Sequence, residues 1–360
     1  MDREGKGKGG QKTLITELTI VLAVIVAGAA LQMVAGPFDV AIVRFPANLV
    51  FLLIFLIAAA LPPNSVAARF GTLSLSVILI SSFLILSLLM GLIPQSGITS
   101  SWPFVLTYLM LLTNLVLVTG RRARGFRLKD AGFMLNHAGL FILLFSAGFG
   151  SADSGKYFMT VYEGKIEWRG ENIKTSRIDE LPVAILLKDF DMEEYFPKTV
   201  IIDKKSGDAI VSGDWVIVSD SIVDNNNHAP AAYIRASNNK TGDKYEGWVS
   251  CGNYSQPFRV LDLTEGVCVA MAYPEPKSFS SEIEVKRERG SSKSGVVRVN
   301  HPLTVGSWKI YQYSYDTQKG RDSAYSVFQL VYDPWLIPAY IGIFMLFIGS
   351  VTLFWKGGKR

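Results

Sequence analysis

Long apolar runs constrain what this chain can fold into more than any other feature of its sequence. A hydrocarbon core about 30 Å thick is spanned by roughly 20 apolar residues in a helix. Six stretches meet or approach that length, at 14–35, 47–61, 72–93, 104–119, 131–150 and 335–355. The second and fourth are the shortest. Backbone amides in lipid must find partners within their own segment, so each run is expected to be a transmembrane helix. The first run is too long for a cleavable signal peptide, and the GPFDVAIVRF that follows lacks a small-residue cleavage pattern.

Charge then gives an orientation. Basic residues are enriched in cytoplasmic connections. Arg3, Lys6, Lys8 and Lys12 precede the first run, Arg69 lies between the second and third, and Arg121, Arg122, Arg124, Arg127 and Lys129 follow the fourth. Lys356, Lys359 and Arg360 end the chain. Six spans put all of these on one side. The opposite side shows Arg44 and an uncharged segment at 94–103. The expected protein is a multi-pass protein of the cell (inner, cytoplasmic) membrane with both termini cytoplasmic. Its net charge of +5 sits beside apolar runs rather than in a basic stripe with interleaved aromatics, so nucleic acid is excluded as a partner and the lipid bilayer is the expected one.

Between the fifth and sixth runs the texture changes. KYFMTVYEG, LPVAILLKDF, DWVIVSD, YEGWVS, FRVLDL, SEIEVKRE, VVRVN, WKIYQYSY and SAYSVFQLVY are short β-branched or aromatic segments, several of them alternating apolar with polar. Turn-rich pieces such as KKSGD and SNNKTGD separate them. The fold class expected is therefore an α-helical transmembrane bundle of about six helices plus a large all-β extracytoplasmic domain, a sandwich or barrel. The boundaries are 1–150 for the N-terminal tail and five helices, 151–333 for the β-rich domain, and 334–360 for the last helix and a basic tail. Cys251 and Cys268, the two cysteines, both fall in that domain. They read equally as a disulfide or as two buried thiols, and without a CxxC there is no thioredoxin-like chemistry.

Three histidines are present. His137 lies inside the fifth run, FMLNHAGLFILLF. An imidazole in lipid is costly and faces a bundle interior or a partner. It reads either as an axial ligand for haem iron or, with Asn136, as an interhelical hydrogen bond. His228, in DNNNHAP, reads as a solvated turn residue, and His301, in VNHPL, as a structural turn residue. No zinc spacing, HExxH, GxSxG or P-loop occurs. The carboxylates of KDFDMEEYF read as a solvated strand edge. No catalytic residue is expected. Beyond Asn114, Asn136 and His137 the helices offer little polarity for a transport pathway.

Several stretches together resemble the ResB (CcsB) family of cytochrome c biogenesis proteins. NHAGLFILLFSAGFGSADSGKYFMTVYEG resembles the family's histidine-bearing helix, glycine-rich exit and first strand with an acidic–glycine turn, here Glu163–Gly164. ELPVAILLKDFDMEEYFPK resembles its next strand. VNHPLTVGSWKIYQYSYD resembles its VN-x-PL, glycine turn and YQ-x-SYD. DPWLIPAYIGIFMLFIGSVTLFW enters a last helix in the family's manner. The first four helices match less well, with two more spans than the usual arrangement.

The resemblance implies a non-autonomous subunit of the System II cytochrome c maturation complex. Such a subunit works with a ResC (CcsA) membrane partner to carry haem b outward and present it to apocytochrome c. The family's axial-ligand histidine maps onto His137 and onto no other residue. The tryptophan-rich haem-binding loop belongs to the partner, and the seven tryptophans here are scattered. A membrane scaffold that stabilises a partner without binding haem is the alternative.

Overall fold

The computed structural model describes residues 2–62, 70–93, 97–210, 213–225, 228–253, 255–288 and 290–357. Arg69, Lys359 and Arg360, on which part of the charge count rests, lie outside them. Two compact units emerge: one joins Met1–Gly155 to Tyr332–Arg360, the other is Lys156–Val331.

The first unit is helical: α1 Asp2–Ala35, α2 Ala47–Ala60, α3 Leu73–Leu92, α4 Trp102–Ala123, α5 Ala131–Gly150 and α6 Leu336–Gly357. Five segments are long and apolar enough to cross a membrane, Thr13–Ala35, Leu73–Leu92, Trp102–Ala123, Leu128–Asp153 and Leu336–Trp355. That makes this a multi-pass membrane protein. The fourth apolar run, short in the sequence, becomes a 22-residue helix. Ser101 caps it by accepting from the Phe104 amide, Pro103 sits in its first turn, and Arg121 and Arg122 continue its last turn. Proline at a helix start and cations at its end both suit the helix dipole and its unpaired amides. The second run stays short, 14 residues in α2.

Helix α4 packs against α1, α2, α3 and α5, and most of its middle is buried. On α5, Phe141, Phe145 and Phe149 recur every fourth residue and meet Phe51 and Phe55 of α2 in a ladder of tilted and edge-on rings. This aromatic face belongs to one buried cluster with Leu112 and Val116 of α4.

The opposite side of α5 is a glycine seam. A Cβ on Gly139 would lie 2.7 Å from the Gly342 carbonyl oxygen, and one on Gly342 would lie 2.8 Å from that of Gly139. Gly349 meets the Asn136 backbone in the same way, at 2.6 Å, and Gly132 meets Thr352. Gly132 and Gly139 are seven residues apart, as are Gly342 and Gly349, so each pair returns to one helix face. In lipid no hydrophobic force drives helices together, and small residues permit the close backbone approach that dispersion requires. The order of contacts makes α5 and α6 antiparallel.

The second unit is built on strands, 14 of them among the described residues. Eight form one sheet in the order β11-β10-β3-β2-β1-β14-β13-β12: β1 Gly155–Tyr162, β2 Ile166–Asn172, β3 Ile178–Glu194, β10 Pro276–Arg287, β11 Lys293–Arg298, β12 Leu303–Val305, β13 Trp308–Tyr315 and β14 Tyr325–Tyr332. Met159, Val161, Ile185, Leu187, Ile283, Val285, Ile310, Phe328 and Leu330 line its inner face, essentially inaccessible to solvent. The edge strands β11 and β12 approach each other. Arg298 and His301 exchange backbone hydrogen bonds, and Lys293 Nζ donates to the Thr304 carbonyl at 2.8 Å. The sheet is thus a nearly closed barrel, which protects its edges from pairing with other chains.

β3 and β10 pair through Glu194 and Pro276, so residues 195–275 leave the barrel and return to the same point. They form two three-stranded sheets, β4-β9-β8 and β5-β6-β7, where β4 is Thr199–Asp203, β5 Trp215–Asn225, β6 His228–Asn238, β7 Lys244–Ser250, β8 Leu261–Asp262 and β9 Val267–Met271. Their shared core holds Ala232, Ile234, Val249, Cys251, Leu263, Val269 and Met271. Cys251 and Cys268 are both buried thiols rather than a disulfide. Of the nine expected strands, FRVLDL shrinks to the two residues of β8. The expectation missed β2, β4, β6, β9 and β12. His228, read as a turn residue, opens β6 opposite Asn225.

Candidate functional site

His137 sits in the second turn of α5, half-buried. Its Nδ1 lies 3.0 Å from the carbonyl oxygen of Phe133, one turn earlier. A carbonyl can only accept, so Nδ1 carries the hydrogen and the neutral ring keeps its lone pair on Nε2. This is the arrangement in which a histidine serves as a ligand: the second nitrogen fixes tautomer and ring direction through a hydrogen bond to a backbone carbonyl. The Phe133 ring stacks on the imidazole, 3.7 Å between centroids and 25° from parallel.

The two readings of the Asn136–His137 pair separate here. Asn136 Nδ2 donates to Ser350 Oγ of α6 at 3.0 Å, so the interhelical hydrogen bond belongs to Asn136. Among the described residues, His137 hydrogen-bonds only to its own helix. By helical period it stands well over 100° away from the Gly132 and Gly139 face that α6 covers.

Above this site the α4–α5 connection is held in place. Arg122, in the last turn of α4, donates through Nη2 and Nε to one oxygen of Asp130, at 2.7 and 3.2 Å. Asp130 precedes the first residue of α5 and is buried. A cation at one helix's C-terminus and a carboxylate at the next one's N-terminus each oppose a helix dipole favourably. The guanidinium carbon of Arg122 lies 5.0 Å from the centroid of the Phe133 ring, so cation, phenyl ring and imidazole follow one another. Arg124 caps the end of α2 instead, donating to the carbonyls of Ala59 and Leu61.

Two further polar clusters lie in the helical unit, and of their members the sequence reading singled out Asn114 alone. Glu17, in the first run, is 7% exposed; its Oε1 accepts from Thr72 Oγ1 at 2.6 Å, while its Oε2 is buried with no hydrogen-bond partner among the described residues. Asn114 joins this cluster, accepting from Ser76 Oγ at 2.7 Å and donating to the Phe70 carbonyl at 2.7 Å. The signal was present as the one carboxylate in TLITELTIV, near the start of the first run. At the far ends of the helices, Asp153 gathers three donors: the Phe45 amide at 2.8 Å, Asn48 Nδ2 at 2.7 Å and Trp335 Nε1 at 2.8 Å. It ties the starts of α2 and α6 to the end of α5.

The other two histidines belong to the second unit. His301 is exposed at a tight turn where Asn300 has a positive φ of 63°, and His228 stands at a strand start. Among the described residues no group of three or more His, Cys, Asp or Glu side chains could hold a metal ion. His137 is the one histidine in the sequence of the helical unit.

Residues 269–325 match the ResB-like family. This span runs from β9 to the start of β14 and contains the VN-x-PL and YQ-x-SYD segments on which the resemblance leaned most. The fifth-helix and LPVAILLKDF segments lie outside it. A solved structure described as "Cytochrome c Heme Lyase CcmF" is similar at a TM-score of 0.25 and 11% identity, over 84% of this chain and 38% of that one. The present chain thus spans well under half of that protein's length. No curated protein matches the chain.

Proposed function

We propose that this chain is a haem-handling subunit of a System II cytochrome c maturation complex, and that His137 is its intramembrane axial ligand. The observation that carries the reading is the Nδ1–H···O=C bond from His137 to Phe133, which leaves Nε2 as a fixed lone pair on a ring that, among the described residues, hydrogen-bonds to no other helix. The match of residues 269–325 to the ResB-like family supports the assignment to cytochrome c biogenesis.

The donor set fits haem iron. A neutral imidazole is an ordinary axial ligand, and the stacked Phe133 ring gives an apolar wall beside it. When bound, the haem b iron would supply the redox chemistry that thioether attachment depends on. This chain's own residues do simpler work: Phe133 orients the imidazole, Asn136 and the glycine seam fix α5 against α6, and Asp153 fixes the outer end of α5. A second axial ligand would come from a ResC (CcsA)-type partner. In this reading both termini and the α4–α5 connection are cytoplasmic. The β domain, about 151–333, faces outward where apocytochrome c is met, and the chain has no catalytic activity alone.

The scaffold alternative rests on the same α5–α6 contacts but needs no lone pair at Nε2. Absorbance of the complex purified from membranes separates them. Replacing His137 by Ala is expected to abolish bound haem, with recovery on adding imidazole. Unchanged haem in an intact complex leaves the scaffold.

A further inference from the structure

We infer that Arg122 is the carboxylate anchor of the His137 site, so that a porphyrin ligated there lies with its propionate edge toward the α4–α5 connection. The inference rests on the ligand reading of His137 and adds to it the recognition of the acidic edge.

An arginine that serves only as a topological charge needs no fixed position and gains little from one, since ordering a long side chain costs entropy. Arg122 is fixed. Asp130, whose side chain is 8% exposed, takes two of its hydrogen bonds through a single oxygen, and the guanidinium is held over Phe133. That places it one aromatic ring from the imidazole. The geometry leaves donors available: Nε and Nη2 point at Asp130, while Nη1 has no acceptor among the described residues, and the side chain is 56% exposed. A guanidinium presents planar, paired N–H groups that match a carboxylate.

The surroundings favour an anion despite Asp130. Arg121, Arg124, Arg127 and Lys129 lie in the same connection, so the local charge stays positive when Asp130 is counted. Arg124 is engaged by the end of α2. The position of Arg122 is set by both α4 and α5 and by the ring that stacks on His137.

The test titrates two probes, haem and haem dimethyl ester, into the complex as it purifies from membranes, with absorbance reporting both affinity and axial ligation. The ester keeps the iron and ring but blocks both carboxylates. The native complex is expected to prefer free-acid haem by roughly tenfold or more, the scale of a hydrogen bond to a charged group. Arg122→Gln is expected to bind the two probes alike with an unchanged axial-ligand spectrum, and Arg122→Lys to keep part of the preference. Asp130→Asn, which releases the arginine without removing it, is expected to narrow the preference and serves if Arg122→Gln does not assemble. An undiminished preference in Arg122→Gln, or in Asp130→Asn where that variant stands in, overturns the anchor while leaving the ligand reading intact, provided His137→Ala alters the spectrum. A His137→Ala complex with native spectrum and affinity removes the ligand reading and the anchor together.

Discussion

The Nδ1–H of His137 and the carbonyl of Phe133 are 3.0 Å apart on successive turns of α5, and this bond decides how the helix divides its labour. Asn136, the next residue back, turns the other way and bonds Ser350 of α6 at 3.0 Å. Adjacent residues on a helix point about 100° apart, so one can hold a neighbour while the other keeps a free lone pair. The bond that ties α5 to α6 and the candidate ligand are therefore separable by mutation.

Asn136→Leu tests that separation. Interhelical hydrogen bonds in membrane proteins contribute roughly 0.6–2 kcal/mol, and the loss should appear as lowered resistance of the full chain to unfolding in detergent. A double-mutant cycle with Ser350→Ala should give a coupling of that size. Haem content, per assembled complex, should not change.

The glycine seam is less forgiving. A Cβ on Gly139 would stand 2.7 Å from the Gly342 oxygen, closer than carbon and oxygen pack. Gly139→Leu should push α5 and α6 apart and destabilise the chain by at least the 1–3 kcal/mol typical of overpacking. Gly91, where an added Cβ meets nothing within 4 Å among the described residues, provides the control, and Gly91→Leu should leave the same unfolding midpoint nearly unmoved.

How much of this was legible in the sequence differs by scale. Apolar runs marked all six helices, because lipid imposes a length that composition reports directly. The longer strands, such as β3 and β14, showed their alternation. β2 did not, since IEWRGEN carries three charges in seven residues and draws its place from pairing with β1 and β3. β12, three residues long, is too short to carry a period. Gly132, Gly139, Gly342 and Gly349 were visible as letters, but their meaning depends on which helices face each other. The Arg122–Asp130 pair likewise depends on the turn at 128–130 bringing two helix ends together. His137 was conspicuous alone; the tautomer that makes it a ligand candidate requires the carbonyl of Phe133.

In the β unit, Glu167 accepts hydrogen bonds from Arg169 through both oxygens, at 2.8 and 2.9 Å. That pairing, against a smaller opposing effect of burial, holds its carboxyl down to about 2, from an ordinary 4.5. A carboxyl with a depressed folded value stabilises fully above its unfolded value and loses that contribution as pH falls through the folded one. Between pH 4.5 and about 2 the native chain should therefore lose unfolding resistance faster than Glu167→Gln does. Identical slopes for the two would contradict the pairing. Arg169 is largely exposed, so the difference should be small and should shrink in high salt.

Cys251 and Cys268 are buried thiols with no disulfide between them, and burial pushes the Cys268 thiol up. A thiol that is both hidden and protonated reacts slowly. A maleimide should leave both unmodified in the folded chain and label both after denaturation without a reductant. Labelling that requires reduction would show a disulfide.

The central claim is tested most directly by the absorbance of the complex purified from membranes, comparing the native chain with His137→Ala. The ligand reading predicts that bound haem is lost while the complex stays assembled, and that added imidazole restores it by filling the vacated position. Haem content unchanged in an assembled His137→Ala complex would contradict it.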